Sequence, residues 1–412
     1  MQQSKQEEIL VELMRQLDER KNVDAGVVLR NPVSVYTSTE LAAREWESFF
    51  EKHPQIIGLS GDLPQRGSFL TLDEFGVPVL ATRDEKGQFR AFLNACRHRG
   101  VRVESERRGV KTKFSCPFHR WTYNQQGKLV AIPQEHQFGN VDKSCRGLVE
   151  LTSVEKYGLL WVNPRPGYPL DVEELLGNLA PEIENWNFSQ MNWAGETSID
   201  MNLNWKLAND TFGETYHFHK LHKDTVGRIF YGDALAYEIS ARNHRFVFPS
   251  RGIDRVRNKP KSEWRITHGA VVLYYLFPNI QLALSRGIIN LVRIYPVRDH
   301  PGKSITRVSH YFSDELINAR SAQAEGSPQV TPDNIYDIEG RSGALPDAES
   351  QNEIFVSTIS QEDYAMGEST QEAAESGLLN HVLFGRNEPA LHHFHNTFRA
   401  ALDMEALDVY ED

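Results

Sequence analysis

Two short segments of the chain each carry one cysteine and one histidine at close spacing. Cys96 and His98 lie in CRHRG, Cys116 and His119 lie in CPFHRWTY, and seventeen residues separate the two pairs. A [2Fe–2S] cluster needs two ligands for each iron, and such loops can deliver two thiolates to one iron and two imidazoles to the other. Imidazole ligands raise the reduction potential of the cluster to about −150 to +300 mV. The pattern therefore predicts a one-electron redox centre.

Zinc is the alternative metal, because two cysteines and two histidines also form tetrahedral zinc sites. Zinc sites more often use CxxC pairs, and the CxH spacing found here is uncommon for them. Core cysteines beside surface histidines, without a metal, are the second alternative. Trp121 and Tyr123 follow the second pair and are predicted to give a cluster apolar cover. Cys145 has no histidine at a suitable spacing, so we predict that it is a buried, inert thiol.

A second metal site is indicated by Asn204–His222, with the sequence NWKLANDTFGETYHFHKLH. His217 and His222 are five residues apart, which on a regular helix would separate them by about 140°. They can share a metal only where the helix unwinds or ends between them. Two histidines and a distant carboxylate form the usual site of mononuclear non-haem iron, which keeps positions open for dioxygen. The alternative is a buried helix whose histidines are satisfied by the backbone.

The third iron ligand must be an acid elsewhere in the chain, and residues 353–375 form the best candidate helix. One face of this helix is predicted to contain Val356, Ile359, Asp363 and Met366. An acid on an apolar face is costly to bury without a partner, and a metal supplies that partner. We therefore prefer Asp363 as the ligand, with Glu362 as the alternative.

Other histidines offer weaker alternatives. His219 and His222 are three residues apart and could share a metal on a regular helix. A second cluster contains His392, His393 and His395. These three are interleaved with a stripe of apolar residues, so they are predicted to flank a packed helix over residues 389–402.

The two motifs together resemble one family of enzymes. CRHRG and CPFHRWTY resemble the Rieske domain of ring-hydroxylating oxygenases. NWK at Asn204–Lys206, followed by Glu214, His217 and His222, resembles the iron motif in the large (alpha) subunit of the same Rieske non-haem iron enzymes. Their order and their separation of about a hundred residues also match. The resemblance extends from about residue 35 to the C-terminus.

The resemblance implies an α+β fold, with a Rieske β-domain and a helix-grip (START-like) catalytic domain that contains an antiparallel sheet. We predict N-terminal helices in residues 1–50, the Rieske domain in 51–163 and the catalytic domain in 164–412. Within the first region, residues 5–19 have helical apolar spacing, and Thr39 starts a second helix through Phe50. Residues 320–352, rich in Ser, Gly, Pro and acids, are predicted to form a long loop.

The resemblance also assigns the site residues. Cys96, His98, Cys116 and His119 would bind one [2Fe–2S] cluster. His217, His222 and an acid of the Glu362-Asp363 pair would bind one Fe(II). Glu214 would bridge a cluster and the iron of a neighbouring subunit, which implies a homotrimer, with or without a small beta subunit.

The implied function is that of a terminal oxygenase that hydroxylates a small organic substrate, with an aromatic one preferred. A separate reductase or ferredoxin would supply the electrons, because the chain shows no flavin or nicotinamide motif. The first alternative is a monooxygenase for a quaternary amine, or a demethylase. The second is a non-catalytic electron carrier, which the roughly 250 residues after the cluster region argue against.

Three positions depart from the family's usual residues. Glu214 stands where the dioxygenases more often have Asp, and the longer acid occurs in some monooxygenase-type members. Asp210 stands where many members have Asn. Arg120 follows His119, where a small residue is common, and it places a cation near the cluster.

Composition limits the other function classes. The chain has 412 residues, 40% of them hydrophobic and 25% charged, with a formal net charge of −11. This length predicts two or three domains, and the negative charge disfavours a broad nucleic-acid surface. No apolar run is long enough for a membrane span. Three cysteines and an N-terminal segment without secretory features predict a cytoplasmic protein.

Overall fold

The computed structural model describes residues 1–322 and 348–411, which fall into two compact units. The small unit consists of Glu45–Val172 and Asn187–Asn192. The large unit consists of Met1–Arg44, Glu173–Trp186 and Trp193–Asp412. No described helix combines the length and the hydrophobicity that a membrane crossing requires.

The small unit contains three antiparallel sheets. Its five-stranded sheet has the order Glu150–Leu151, Phe89–Leu93, Val79–Arg83, Ser68–Leu72, Arg108–Val110. Its two three-stranded sheets have the orders Ser153–Lys156, Leu159–Val162, Gln55–Leu59 and Lys113–Ser115, Thr122–Asn124, Leu129–Ala131. The sequences DEKG at 84–87 and QQGK at 125–128 are typical of turns between short strands. The structure confirms both turns, because Gly87 and Gly127 adopt positive φ and close hydrogen-bonded turns.

The large unit is built on a seven-stranded antiparallel sheet. Its strand order is Asn192–Met201, His300–Phe312, Ile288–Val297, Ile280–Ser285, Ala270–Leu276, Asn243–Pro249, Ala236–Ser240. Apart from the step between the first two of these, neighbouring strands follow each other in the chain, so hairpins build most of the sheet. A second sheet has the order His381–Phe384, Leu29–Pro32, Asp408–Val409. The expected α+β class with antiparallel sheets is confirmed.

Most of the described helices lie in the large unit. The described α-helices are Gln3–Glu19, Ser34–Thr37, Thr39–Glu45, Val172–Leu176, Ala180–Glu184, Trp205–Asp210, Ile253–Arg257, Ile266–Gly269, Asp314–Ser321, Ala348–Ser357, Tyr364–Glu375 and Pro389–Ala401. Two π-helical segments, Trp46–Glu51 and Thr358–Asp363, continue the α-helices that precede them. Of the predicted loop at 320–352, residues 323–347 lie outside the described residues, and residues 348–352 are helical.

The N-terminal helix Gln3–Glu19 forms where its apolar spacing predicts it. Its buried face contains Ile9, Leu10, Leu13, Met14 and Gln16. The Gln16 amide exchanges two hydrogen bonds with the backbone of Leu235, at 2.7 and 3.0 Å. Both polar atoms of the buried Gln16 amide therefore have hydrogen-bond partners. The side chain thus holds the helix in place instead of destabilising the fold.

Candidate metal centres

The two Cys/His loops of the small unit have the same backbone design. In each loop the carbonyl oxygen of the cysteine accepts a hydrogen bond from the amide four residues later, Gly100 at 2.8 Å and Arg120 at 2.9 Å. Gly100 has φ +77° and Arg120 has φ +60°, so both loops turn through the left-handed region at the same position. This conformation explains why a small residue suits position 120.

The loops bring all four predicted cluster ligands into one region of the small unit. The rings of His98 and His119 lie 4.6 Å apart, centroid to centroid. The Nδ1 atoms of both rings are buried and have no hydrogen-bond partner among the described residues. Two buried, unpaired imidazole nitrogens side by side are unusual in a folded protein, and ligation of an iron pair would satisfy them. The donor set therefore fits a [2Fe–2S] cluster.

The two cysteines lie in the core beneath these rings. Cys96 and Cys116 are 4% and 2% exposed, and they pack in one buried cluster with Trp121 and Tyr123. Burial raises the pKa of the Cys96 thiol, so a bound metal is needed to hold it as the thiolate. The adjacent Cys116 also raises this pKa, whereas the hydrogen bond with Tyr123 lowers it.

Tyr123 has a polar role that the sequence did not reveal. Its hydroxyl accepts a hydrogen bond from the amide of Arg97 at 3.0 Å, which leaves its proton for the Cys96 sulfur 3.3 Å away. A hydrogen bond to a ligating sulfur raises the potential of an iron–sulfur cluster. Trp121 does provide the expected apolar cover, because its ring stacks on His98 at 5.1 Å and 11°.

The prediction for Cys145 was wrong. Its thiol is exposed, at the end of the 3-10 turn Lys143–Cys145, and it donates to the Asp142 carboxylate at 3.3 Å. The distance of Cys145 from the nearest histidine in the sequence argued against a metal role, but it does not predict whether the side chain is buried.

Replacing Arg120 with glycine is expected to stabilise the small unit by up to about 1 kcal/mol, because glycine avoids the left-handed strain of a residue with a Cβ. The unfolding of the cluster-loaded protein in urea measures this gain. Gly100→Ala, at the equivalent position of the other loop, is expected to lose a similar amount. Equal stability of all three proteins would show that the positive φ values carry no strain.

The iron motif of the large unit begins with a capped helix. The Asn204 side chain accepts a hydrogen bond from the amide of Lys206 at 2.9 Å, and the helix Trp205–Asp210 follows. The helix ends before the two histidines, and residues 211–225 form irregular turns. The separation of about 140° on a regular helix therefore does not apply. The rings of His217 and His222 lie 4.9 Å apart.

Asp363 joins these two histidines from a π-helical segment. His217, His222 and Asp363 offer ligand atoms that all lie within 4.8 Å of one another, the one such group of three or more found in residues 1–322 and 348–411. The carboxylate oxygen Oδ1 of Asp363 lies 3.3 Å from Nε2 of His217 and 3.1 Å from Nε2 of His222. Two imidazoles and one carboxylate converging on one point fit a mononuclear iron.

The predicted helical face around Asp363 was partly wrong. Ile359 and Asp363 are buried, but Met366 is 52% exposed. The π-helical segment Thr358–Asp363 has i→i+5 bonds and so adds a residue to the turn, which rotates everything after it. The buried positions of the next helix are therefore Tyr364, Gly367, Gln371 and Ala374.

Each iron-motif histidine has a second carboxylate on its outer nitrogen. Nδ1 of His217 contacts Glu214, and Nδ1 of His222 lies 2.8 Å from Oε2 of Glu362. Such outer carboxylates fix the tautomer and the orientation of a metal-ligating imidazole. Both Nε2 atoms, and not the Nδ1 atoms, are thereby presented to Asp363. Glu362 thus lies behind His222 as an outer partner, a role that the sequence did not reveal.

The carboxylates keep this site charged when no metal is bound. Burial works against a protonated His217, but the hydrogen bonds with Asp363 and Glu214 outweigh it and raise the pKa of His217 to about 9. Burial likewise works against an ionised Asp363, yet the two histidines hold its pKa below the usual range. An incoming metal ion must therefore displace a proton from His217 at neutral pH.

Iron affinity is consequently expected to rise at least about tenfold per pH unit from pH 7 towards pH 9, because His217 loses a proton for each ion bound and the carboxylates raise the pKa of His222 as well. The same proton stabilises the metal-free fold fully below pH 6.5, the ordinary pKa of histidine, and that contribution is lost as the pH rises through about 9. Anaerobic Fe(II) titration against a competing chelator at several pH values measures the slope. A pH-independent affinity would contradict the displaced proton.

The other histidines have different partners. Nε2 of His219 lies 3.1 Å from Asp233, Nε2 of His392 lies 3.2 Å from the Phe384 carbonyl oxygen, and His393 contacts His244 at 3.0 Å. Nε2 of His395 lies 2.9 Å from Asp210, whose carboxylate also accepts from Tyr36 at 2.8 Å. Asp210 therefore anchors the iron motif to the helix Pro389–Ala401. The sequence showed that Asp210 replaces the more common Asn, but it did not reveal this contact.

Comparison with protein families gives two matches. The family described as "Ring hydroxylating alpha subunit (catalytic domain)" matches residues 188–404, and the family described as "Rieske [2Fe-2S] domain" matches residues 53–156. The two candidate metal sites lie inside the two matched ranges.

Curated relatives include the glycine betaine monooxygenase oxygenase subunit of Pseudomonas aeruginosa, 30% identical over 195 residues, which are 47% of this chain and 45% of the relative. The anthranilate 1,2-dioxygenase large subunit of Acinetobacter baylyi is 28% identical over 208 residues, 49% of this chain and 44% of the relative. The matched segments thus span about half of these relatives' length.

Solved structures share the fold over nearly the whole chain. The quaternary ammonium Rieske monooxygenase CntA in complex with L-carnitine has a TM-score of 0.72 at 18% identity, covering 92% of this chain and 97% of that one. Naphthalene 1,2-dioxygenase with bound indole has a TM-score of 0.67 at 17% identity, covering 93% and 94%.

Proposed function

This chain belongs to the ring-hydroxylating alpha-subunit family, and from that premise we propose that it is a terminal oxygenase that hydroxylates a small organic substrate with dioxygen. The observation that carries the proposal is the convergence of His217, His222 and Asp363, with a carboxylate behind each histidine. An electron-transfer protein needs only the Cys/His loops and has no use for this second centre. The cofactors are one [2Fe–2S] cluster and one Fe(II) per chain.

In this proposal the chain's residues hold and orient the two metals. Cys96, His98, Cys116 and His119 hold the cluster, which supplies one electron at a time when bound. For the iron, which supplies dioxygen activation when bound, the inner ligands are His217, His222 and Asp363. Three protein ligands leave the remaining coordination positions free for substrates of the reaction.

Glu214 has the further proposed role of linking the iron site to a cluster. Its carboxylate contacts Nδ1 of His217 and also accepts from the His217 amide at 3.2 Å. Glu214 is half-buried, so part of the carboxylate remains open to a neighbouring group. This geometry supports the role of a bridging acid that the family resemblance implies.

The proposed partners follow from the same role. A reductase or ferredoxin donates the electrons, and the bridging function of Glu214 requires a neighbouring subunit, most simply in a homotrimer. We propose a cytoplasmic location, because the cluster thiols Cys96 and Cys116 need reducing surroundings before the cluster is inserted.

A quaternary amine is the second candidate substrate, and it is compatible with a group of aromatic residues beside the iron site. Phe218 lies 5.0 Å from the His217 ring, 5.4 Å from Phe248 and 6.3 Å from Phe230, centroid to centroid. Aromatic rings attract alkylammonium groups through their π faces. The same rings also suit a flat aromatic substrate, so this group supports both candidates.

Metal analysis tests the proposed function. The purified protein is expected to be red-brown and to contain about three irons per chain, two with acid-labile sulfide and one without. About two irons per chain would indicate an electron carrier. Stoichiometric zinc in a colourless protein would contradict both the oxygenase and the electron carrier. Product analysis with a surrogate reductase, comparing aromatic compounds with quaternary amines, then decides the substrate class.

A further inference from the structure

One lateral row crosses the large sheet. The row contains Tyr237, Phe246, Leu273, Ala283, Asn290 and His310, each paired directly with the next. Laterally paired residues point to the same face of a sheet, so these six side chains share one face. Four are hydrocarbon or aromatic, and the two at one end, Asn290 and His310, form the polar end of the row.

Apolar surface is left uncovered in the middle of this row. Ala283 lies on the central strand of the seven, yet its side chain is only half-buried. Ala283 packs in the same apolar cluster as Phe212 and Phe218, which are also half-buried. Since Phe218 is in contact with the His217 ring, this open apolar surface lies next to the candidate iron site.

His310 is a buried polar group with one unsatisfied atom. The residue is 0% exposed, and its Nδ1 lies 2.7 Å from Oδ1 of Asn290. Its Nε2 is buried without a hydrogen-bond partner in the described part of the chain. The ring also meets Phe355 edge to face at 5.9 Å, on the helix that leads into the segment carrying Asp363. His310 therefore faces the element that delivers the iron carboxylate.

The hydrogen bond with Asn290 decides what Nε2 can do. Burial lowers the pKa of His310 to about 4, so the ring is neutral at physiological pH. A neutral imidazole has one donor and one acceptor nitrogen, and Oδ1 of Asn290 can only accept. Nδ1 must carry the proton, and Nε2 is left as a buried acceptor. A buried acceptor without a donor is unfavourable in the free protein, and a ligand donor would relieve it.

Resting on the oxygenase function proposed above, we propose that Nε2 of His310, oriented by Asn290, accepts a hydrogen bond from the substrate. The substrate class is then an aromatic or otherwise apolar molecule that carries a hydroxyl or an N–H group. A quaternary ammonium has no N–H to donate, and a carboxylate has no proton to donate at neutral pH. His310 is thus a specificity-determining residue that favours a substrate with a hydroxyl or N–H donor over one whose polar groups cannot donate.

Binding to the iron-loaded protein tests the proposal without turnover. Calorimetric titrations use phenol, aniline, toluene and phenyltrimethylammonium, of which phenol and toluene have nearly the same shape. The wild type is expected to bind phenol and aniline about tenfold or more tightly than toluene or the quaternary amine. In His310→Phe the toluene affinity is expected to stay and the preference for phenol to disappear.

Asn290→Leu provides a second variant, in case His310→Phe does not fold. Without Asn290 the proton of His310 can move to Nε2, so the ratio of phenol to toluene affinity should fall although His310 is present. Tyr274→Phe is the matched control, since the Tyr274 hydroxyl is also buried but lies on the opposite face, bonded to Glu182 at 2.9 Å. This control should lower the melting temperature and leave the ratio unchanged.

The outcomes separate this proposal from the proposed function. An unchanged ratio in both folded variants, or tighter binding of phenyltrimethylammonium than of phenol by the wild type, would overturn the role of His310. Neither result would contradict the oxygenase function, because that function is tested by the iron content and by oxygen-dependent turnover. Conversely, a protein without mononuclear iron would overturn the oxygenase function whatever ligands it binds.

Discussion

Asp363→Ala is expected to lose the mononuclear iron and to reduce oxygenase activity to background, while the cluster spectrum stays intact. Oδ1 of Asp363 is the atom on which Nε2 of His217 and Nε2 of His222 converge. Its removal leaves two neutral or protonated histidines, which bind Fe(II) weakly because the charged ligand is gone. Iron and acid-labile sulfide per chain, together with the visible spectrum, measure the two centres separately.

Glu362→Gln is the matched comparison at the neighbouring position. The glutamine can still contact Nδ1 of His222 and the Thr225 hydroxyl, which now lie 2.8 and 3.0 Å from Glu362. Loss of an outer carboxylate typically costs about 10 to 100-fold in metal affinity or activity, so this variant should keep part of its iron. If Glu362→Gln lost all of its iron and Asp363→Ala kept it, the ligand would be Glu362.

Glu214→Gln is expected to keep both metals and substrate binding but to transfer electrons very slowly. A partner should still reduce the cluster, since the cluster residues are unchanged. When dioxygen and substrate are added to the pre-reduced protein, the absorbance of the oxidised cluster should return far more slowly than in the wild type. Single-turnover absorbance measures this rate directly.

The comparison with Glu362→Gln separates two roles of Glu214. Both carboxylates contact the outer Nδ1 of an iron-motif histidine, so both variants lose the same kind of orienting contact. If Glu214 only orients His217, the two variants should slow by similar factors, about 10 to 100-fold. A much larger loss in Glu214→Gln alone would establish the bridging role, and wild-type rates would leave Glu214 a structural acid.

The sequence by itself determined the chemistry of both centres. Cys96, His98, Cys116 and His119 are close in the chain, and ligand spacing is a local property that short loops preserve. The same holds for His217 and His222, whose spacing already required that the helix unwind or end if the two are to share a metal. Turn residues such as Gly87 and Gly127 predicted the β-structure of the small unit for an equally local reason, the positive φ that glycine permits.

Only the tertiary structure decided which residues lie behind the metal ligands and which residues are buried. Glu362 and His222 are 140 residues apart, and no local pattern records their contact. The π-helical segment at Thr358–Asp363 changed which residues face inward, because one added residue per turn shifts the phase that a regular helix would keep. The exposure of Cys145 and the hydrogen bond between Asn290 and His310 were also decided by the tertiary structure. Burial and pairing depend on which strands and helices pack together, and residues far apart in the chain determine this packing.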